Sequence, residues 1–331
     1  MKPSNSETAA KREAGAEPGA GAETVPGAGR ALGYVLAVTQ AVFYATMGIF
    51  GKLLYATGLN AQEVVILRFL ATTVLLGAFM LVWRKQRLVS RQPVVYVQAI
   101  FFFLGAFLYF FAVERLTAGM TTVIFYMYPI VVAVLNMTFF RERLSVPTIV
   151  AFVLSVGGLI LVSGIIGGAL VLDGLGIFYA GAACLSFAVY TILIQKTGRT
   201  EGPFTVTFTL SWTSLLASCI FFAPAVPTML HLDWYQIGLG CVMALLNTIL
   251  PIVLYIEAVK RIGGTKSSLI GISETPSSLI LAFFLLGETL TFQQVAGTVL
   301  IVAGIVLVTV GPLLSKKGKA PADTEAEAER T

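Results

Sequence analysis

Few side chains in this sequence could do chemistry, and Glu274 leads them. It stands at the midpoint of Gly263 to Glu288, GGTKSSLIGISETPSSLILAFFLLGE, an apolar run of membrane length with a proline two residues further on. At the centre of a spanning helix an acidic side chain costs about 2.5–3.5 kcal/mol, so such a residue faces a protein interior or a water-filled cavity. Pro276 has no N–H to give the carbonyl of Ile272, which should be left free where the helix bends beside the carboxylate. In that setting Glu274 either binds the cationic part of a substrate, carries a coupling proton, does both, or serves as a structural acid. Arg68, a third of the way into the second apolar run, could meet a substrate carboxylate with its planar fork, or snorkel or pair with an acid. Lys52 and Lys266 lie within about two turns of a helix end, from where a lysine also snorkels.

Neutral polar residues inside apolar runs form a second set, Gln40, Gln98, Asn136, Asn247 and Thr248. Hydrogen bonds between membrane helices average about 0.6 kcal/mol, so structural bonding is the plain reading of this set. Asn247 stands out because Pro251, four residues later, cannot donate to its carbonyl, which puts a polar side chain and a free backbone acceptor in one place. Among aromatic residues Tyr44, Tyr126, Tyr128, Tyr190 and Trp212 are mid-run with a polar tip that wants a partner. Seven aromatics between Phe101 and Phe111 cover every face of one helix, which reads as lipid and packing contact. The expected substrate-binding set is Glu274, Tyr128, Asn247, Arg68, Tyr44 and Gln40. Glu142 and Glu257 stand beside basic residues as local ion pairs, and Glu288 closes a helix.

These residues have to be positioned by membrane helices. Of 331 residues 57% are hydrophobic and 12% charged, against about 25% charged in soluble domains. Mean hydropathy is +0.87. Ten apolar runs follow one another, near 32–55, 62–83, 93–113, 118–140, 146–166, 174–195, 204–223, 234–257, 263–286 and 291–313, each near the ~20 residues a spanning helix needs. Lys and Arg gather in alternate connections, at Arg84, Lys85, Arg87 and Arg91, at Arg141 and Arg143, at Lys196 and Arg199, and at Lys260 and Arg261. Arg30, Lys316, Lys317 and Lys319 flank the ends on the same side, while Arg115 is nearly alone on the other. The positive-inside rule then puts both termini in the cytoplasm.

Laying residues 112–162 on 258–308 without a gap gives thirteen identities in fifty-one positions, including Arg115 on Arg261, Glu142 on Glu288 and Gly158 on Gly304. Five helices per half is odd, so the halves enter the membrane in opposite senses, as in secondary transporters whose site lies between the repeats. The Leu67-Arg68-Phe69 element, the run YPIVVAVLNMTFFRERLS and its partner ETPSSLILAFFLLGETLT resemble the EamA branch of the drug/metabolite transporters over about residues 32–312. The family's pattern has a proline thirteen residues before the glutamate closing each fourth helix, as in Pro129 to Glu142; in the second half Thr275 takes that place and Pro276 comes one later. The resemblance implies a carrier of amino acids, drugs or other small metabolites, often an exporter of the bacterial inner membrane.

The expected fold is therefore an all-α integral membrane protein of ten helices in two inverted five-helix repeats, 32–166 and 174–313, between disordered tails 1–31 and 314–331. The expected activity is transport of a small organic metabolite by alternating access, with the bilayer and the substrate as partners and proton coupling through Glu274 as an option. A sugar-phosphate-like importer would call on Arg68, Lys52 and Lys266; an intramembrane enzyme would need a paired nucleophile and base, and a receptor a sizeable extramembrane surface. The sequence has no GxxxxGK[ST], HExxH, CxxC or GxSxG pattern. No cofactor, metal or nucleic acid is expected, since Cys184, Cys219 and Cys241 sit singly in apolar runs, His231 is the one histidine, and the +5 charge flanks the membrane. The chain is expected to work as a monomer or homodimer.

Overall fold

A computed structural model describes residues 27–317 apart from 85–86, 143, 167–172, 199 and 288. Residues 1–26 and 318–331 of the tails, with Lys85, Arg143, Gly167, Gly168, Arg199 and Glu288, thus lie outside the described residues, while 27–31 and 314–317, expected in the tails, are helical. Ten helices follow in order, α1 (Gly27–Ala45 and Met47–Ala56), α2 (Ala61–Phe79, continued by the π turn Met80–Arg84), α3 (Pro93–Arg115) and α4 (Ala118–Phe125 and Tyr128–Phe140). They continue with α5 (Val146–Val162), α6 (Gly174–Thr197), α7 (Pro203–Phe221), α8 (Trp234–Ala244, the π turn Leu245–Ile249, and Leu250–Ile262), α9 (Gly264–Gly271 and Glu274–Leu286) and α10 (Phe292–Lys317). Among the described residues nine helices are long and apolar enough to cross a membrane, and Val146–Val162 is a shorter apolar one. At about 1.5 Å per residue its seventeen residues are at the lower limit of a span. Ten crossings bring both ends of the described chain to one face of the bundle, the tail face.

The helix ends follow from local chemistry. Asn60 caps α2 by accepting from the Glu63 N–H at 3.0 Å while the Glu63 carboxylate accepts from the Asn60 N–H at 2.8 Å, and Asp233 and Gln236 form the same box at the start of α8. Proline opens α3 and α7, where the missing N–H costs nothing. Large apolar side chains such as Val82, Phe139, Val153, Ile220 and Phe284 point outward, as a lipid-facing surface requires. The interior is polar in small increments. On α7 the buried Thr207, Thr209 and Ser218 hydroxyls return to carbonyls one turn back at 2.7–2.8 Å, satisfying themselves without a charge.

The two repeats are related by a pseudo-two-fold axis that the packing displays directly. Helix α1 packs on α8 and α6 on α3, α2 packs on α8 and α7 on α3, and α5 meets α10, each contact mapping to another or to itself when the halves are exchanged. Glycines record the same symmetry at atomic detail. A Cβ on Gly33 of α1 would fall 2.8 Å from Arg261 and 2.7 Å from Ile262, and one on Gly176 of α6 would fall 3.0 Å from Arg115 and 2.7 Å from Leu116, the residues aligned with that pair in the repeat. Between α5 and α10, Gly158 faces the Gly297 carbonyl while Gly304 faces the Ala151 carbonyl, again an exchanged pair. Small residues at these points let backbones approach closely.

A side chain at the α5–α10 crossing has no room, since a Cβ on Gly297 would lie 2.4 Å from the Gly158 carbonyl oxygen, whereas Gly157 faces open space. Gly297→Val should destabilise the protein by about 1–3 kcal/mol, seen as a lower melting temperature in detergent, and Gly157→Ala should leave melting unchanged.

Candidate functional site

Four helices break or unwind mid-membrane, and the breaks converge. In α4 the break at Tyr126–Met127 precedes Pro129; in α9 the break at Ile272–Ser273 precedes Pro276. The two breaks are in register in the repeat although the prolines differ by one position, because a helix start tolerates a proline anywhere among its first N–H groups, which have no intrahelical acceptor. Tyr128 and Glu274 are the aligned first residues of the resumed helices. The Ile272 carbonyl, expected to be free, instead accepts from the Thr275 N–H at 3.1 Å, a tighter turn that satisfies it. On α8 the ladder slips to π spacing over Leu245–Ile249, directly before Pro251.

The break in α1 is held from across the bundle. Thr46 turns its hydroxyl back to the Phe43 carbonyl at 2.7 Å, competing with the helix ladder. The Asn247 amide of α8 donates to that same carbonyl at 2.7 Å and to Thr46 Oγ1 at 2.8 Å. Asn247 is thus a clamp on α1, with its amide nitrogen fully used and its Oδ1 buried without a partner.

Between these breaks lies a cavity of about 480 Å³ lined from α1, α2, α3, α4, α6, α8 and α9. It brings together all six expected residues, Gln40, Tyr44, Arg68, Tyr128, Asn247 and Glu274. Tyr126 shares the cavity wall with Glu274. Tyr128 donates to the Ser268 carbonyl at 3.4 Å, and Gly271 gives its hydroxyl and the Gln40 amide room to approach the α9 break. Arg68, 6% exposed, reaches only the Met47 sulfur at 3.5 Å, lies 4.6 Å from the Phe69 ring centroid, and keeps a buried Nε without a partner. Arg68 and Glu274 form no ion pair with each other, and Tyr44 lies within electrostatic reach of both.

Other candidates sit elsewhere. Lys52, Lys266 and Trp212 are off the cavity lining, and Gln98 accepts from Thr197 at 2.8 Å. Glu257 does pair with Lys260, at 2.9 Å, and with Arg261, while the Glu142 carboxylate accepts from Thr265 Oγ1 at 2.9 Å. The crowded aromatics of α3 divide by helical spacing. Phe102, Ala106, Tyr109 and Phe110 line the cavity, while Phe103 stacks against Phe221 of α7 and Phe107 meets the same ring at a tilt. Tyr109 and Tyr255 were missed as lining residues; Tyr255 follows Asn247, Thr248 and Pro251 on one face of α8, a periodicity that would have found it. No group of His, Cys, Asp or Glu among the described residues is arranged to hold a metal.

The sequence profile of the EamA-like transporter family matches residues 31–164 and again residues 174–310. The chain belongs to that family. Its two matches are the two five-helix units, and the protein is accordingly a multi-pass membrane transporter with a small-molecule substrate. It is similar to an uncharacterized transporter of Archaeoglobus fulgidus, 27% identical over 63% of this chain and 73% of the relative. It is also similar to the uncharacterized transporter YxxF of Bacillus subtilis, 24% identical over 87% of this chain and 91% of that one. A protein of known crystal structure superimposes with a TM-score of 0.70 at 16% identity, over 87% of this chain and 99% of its own, and so shares the fold. This EamA-like chain places its breaks where other membrane proteins tolerate them, against a cavity.

Asn247→Leu removes both donors that hold the α1 break and should lower the melting temperature in detergent by a few degrees, as expected for loss of about 1–2 kcal/mol. Thr248→Val, on a side chain without a hydrogen-bond partner, should leave it unchanged or raise it.

Proposed function

We propose that the protein is a secondary carrier that exports a small organic metabolite by alternating access, with its substrate held in the cavity between the repeats. The observation that carries this reading is the pairing of unlike charges in one aromatic chamber, where Glu274 and Arg68 both line the wall and neither neutralises the other. A buried charge left without a counter-ion is costly, and a substrate with a cationic and an anionic group, such as an amino acid, supplies both counter-ions at once. Glu274 takes the cationic group, aided by the tyrosine faces around it, and Arg68 takes the carboxylate through its fork. Glu274 is also the candidate for a coupling proton, since among the described residues it is the only acid on the cavity wall. An anion importer of sugar-phosphate type finds less support, because among the described residues Arg68 is the only basic one on the lining.

Orientation follows from charge. Arg30, Arg87, Arg91, Arg141, Lys196, Lys260 and Arg261 lie toward the tail face, which is assigned to the cytoplasm of a cell whose plasma membrane holds the carrier. Reporter fusions at Thr331 and after Asp173 should accordingly register opposite sides, and a C-terminal fusion active only outside would reverse the assignment.

Glu274→Gln keeps size and hydrogen bonding while removing charge and titration. It should insert at normal level and lose transport or the pH dependence of transport, whereas Glu257→Gln, away from the cavity, should retain both. Efflux of metabolites from cells with and without the protein supplies the assay. Unchanged transport from about pH 5.5 to 8 in well-expressed Glu274→Gln would remove the carboxylate from the mechanism.

A further inference from the structure

The cavity lining reaches the helix ends of one face only. It climbs from Gln40 and Gly271 to Tyr55, Ala61 and Tyr109, toward the face opposite the tails. Toward the tail face, α4, α6 and α9 are joined beyond the cavity floor by a continuous chain of hydrogen bonds. Gln195 Nε2 of α6 donates to Asn136 Oδ1 at 2.7 Å, Asn136 Nδ2 of α4 donates to Thr265 Oγ1 at 2.8 Å, and Thr265 of α9 donates to Glu142 Oε2 at 2.9 Å. Asn136 is 0% and Thr265 1% exposed, so the middle of this chain is dry. Gly264 lets α9 close down on it, since a Cβ there would lie 2.8 Å from Gln195 Nε2.

Symmetry separates this chain from the scaffold. Contacts that hold the bundle in any state should recur under exchange of the repeats, and several do. On the tail face Ser90 donates to Glu201 at 2.8 Å, joining the α2–α3 and α6–α7 connections; on the opposite face Thr228 donates to Glu63 at 2.6 Å, joining the α7–α8 connection to the start of α2. By the elements they join these two clasps correspond, each tying the connection after the second helix of one half to the start of the second helix of the other. The Gln195–Asn136–Thr265–Glu142 chain has no such mate, because the repeat puts Ala282 opposite Asn136 and Gly119 opposite Thr265. A polar chain present at one end and not encoded at the other belongs to one conformation only.

The geometry points to this chain as the lock of the tail-face gate, a set of positioning residues whose hydrogen bonds hold the carrier closed on that side and must be broken for the cavity to open there. The assignment rests on the alternating-access reading above. It also implies a built-in bias, since closing the opposite face would gain no equivalent polar chain from Ala282 or Gly119, so the form closed at the tail face is the resting one. Buried hydrogen bonds that are exchanged for nothing set the population ratio of the two forms.

The test is a pair of distance measurements by electron spin resonance on the full chain in lipid nanodiscs, with Cys184, Cys219 and Cys241 replaced by Ala. One label pair, at Phe140→Cys and Lys196→Cys, spans α4 and α6 at the tail face; the other, at Leu53→Cys and Phe284→Cys, spans α1 and α9 at the opposite face, all four being exposed positions. Thr265→Val, nearly isosteric but without a hydroxyl, should shift the populations about ten-fold toward a longer tail-face and a shorter opposite-face distance. Thr265→Ser, which keeps the hydroxyl, should reproduce the parent. Gln195→Leu cuts only the α6 end and should shift the populations in the same direction by less, which keeps the test decisive if Thr265→Val fails to assemble. Two populations that ignore every substitution would overturn the lock and leave alternating access standing; a single population in all variants would overturn both.

Discussion

Everything distinctive in this bundle follows from one constraint: a backbone that leaves the α-helical ladder inside a bilayer must find its hydrogen bonds in protein or in a water-filled cavity, because lipid offers none. Interruptions in α1, α4, α8 and α9 meet it in different ways. The Phe43 carbonyl is met by Thr46 and by Asn247 from another helix, the Ile272 carbonyl by a tightened turn, and the stretch of α8 before Pro251 by a slip to π spacing. A tightened turn and a π slip close the ladder within one helix, but the bond from Asn247 needs a facing helix, and all four interruptions contribute residues to the cavity lining. The chamber they enclose has a mostly apolar, aromatic wall in which Glu274 and Arg68 are the charged members. The site is in this sense a consequence of where the helices fail.

The inverted repeat decides where such failures fall. One five-helix plan used twice gives aligned breaks in α4 and α9, and it gives aligned first residues that have diverged into Tyr128 and Glu274. Divergence at the axis is what makes the chamber chemically asymmetric while the scaffold around it stays symmetric. Glycine contacts between α5 and α10 and the clasps at the two faces keep the exchange relation, so the frame can serve two conformations equally. A carrier needs that combination, since a frame indifferent to state lets small differences in polar contact decide which state is populated.

Much of the architecture was legible because membrane helices obey a length rule and end at Pro, Gly and charge. The ten runs, the repeat and the residues at the breaks could be read from the chain, as Glu274 and Asn247 show. What could not be read was partnership. Nothing local in the sequence says that the Asn247 amide is spent on Phe43 and Thr46, more than two hundred residues away in the first helix, or that Glu142 accepts from Thr265 when basic neighbours flank it. Pro276 illustrates the same limit from the other side. A missing donor predicts a free carbonyl, but a helix start can re-pair that carbonyl through a shorter turn, and the choice depends on three-dimensional context. The phenylalanine-rich face of α3 was misleading for a compositional reason, as lipid contact and cavity wall draw on the same residues; only the polar tip of Tyr109 marks the inward side.

The electrostatics of the chamber argue for occupancy in a way that shape alone would not. Many polar groups of this bundle are satisfied locally, as where the Thr207, Thr209 and Ser218 hydroxyls return to their own helix and Glu257 is neutralised by Lys260 and Arg261 near a helix end. Arg68 is the charged residue among the described buried groups that keep an unpartnered atom, since its guanidinium is left with a sulfur, a ring face and an unpartnered Nε although Glu274 shares the same chamber. An Arg–Glu contact would have been the stabilising choice for a purely structural pair, because each ion would then recover part of its desolvation cost. Keeping them apart raises the free energy of the empty cavity. On the function proposed above, a substrate with the complementary charges would recover that desolvation cost on binding.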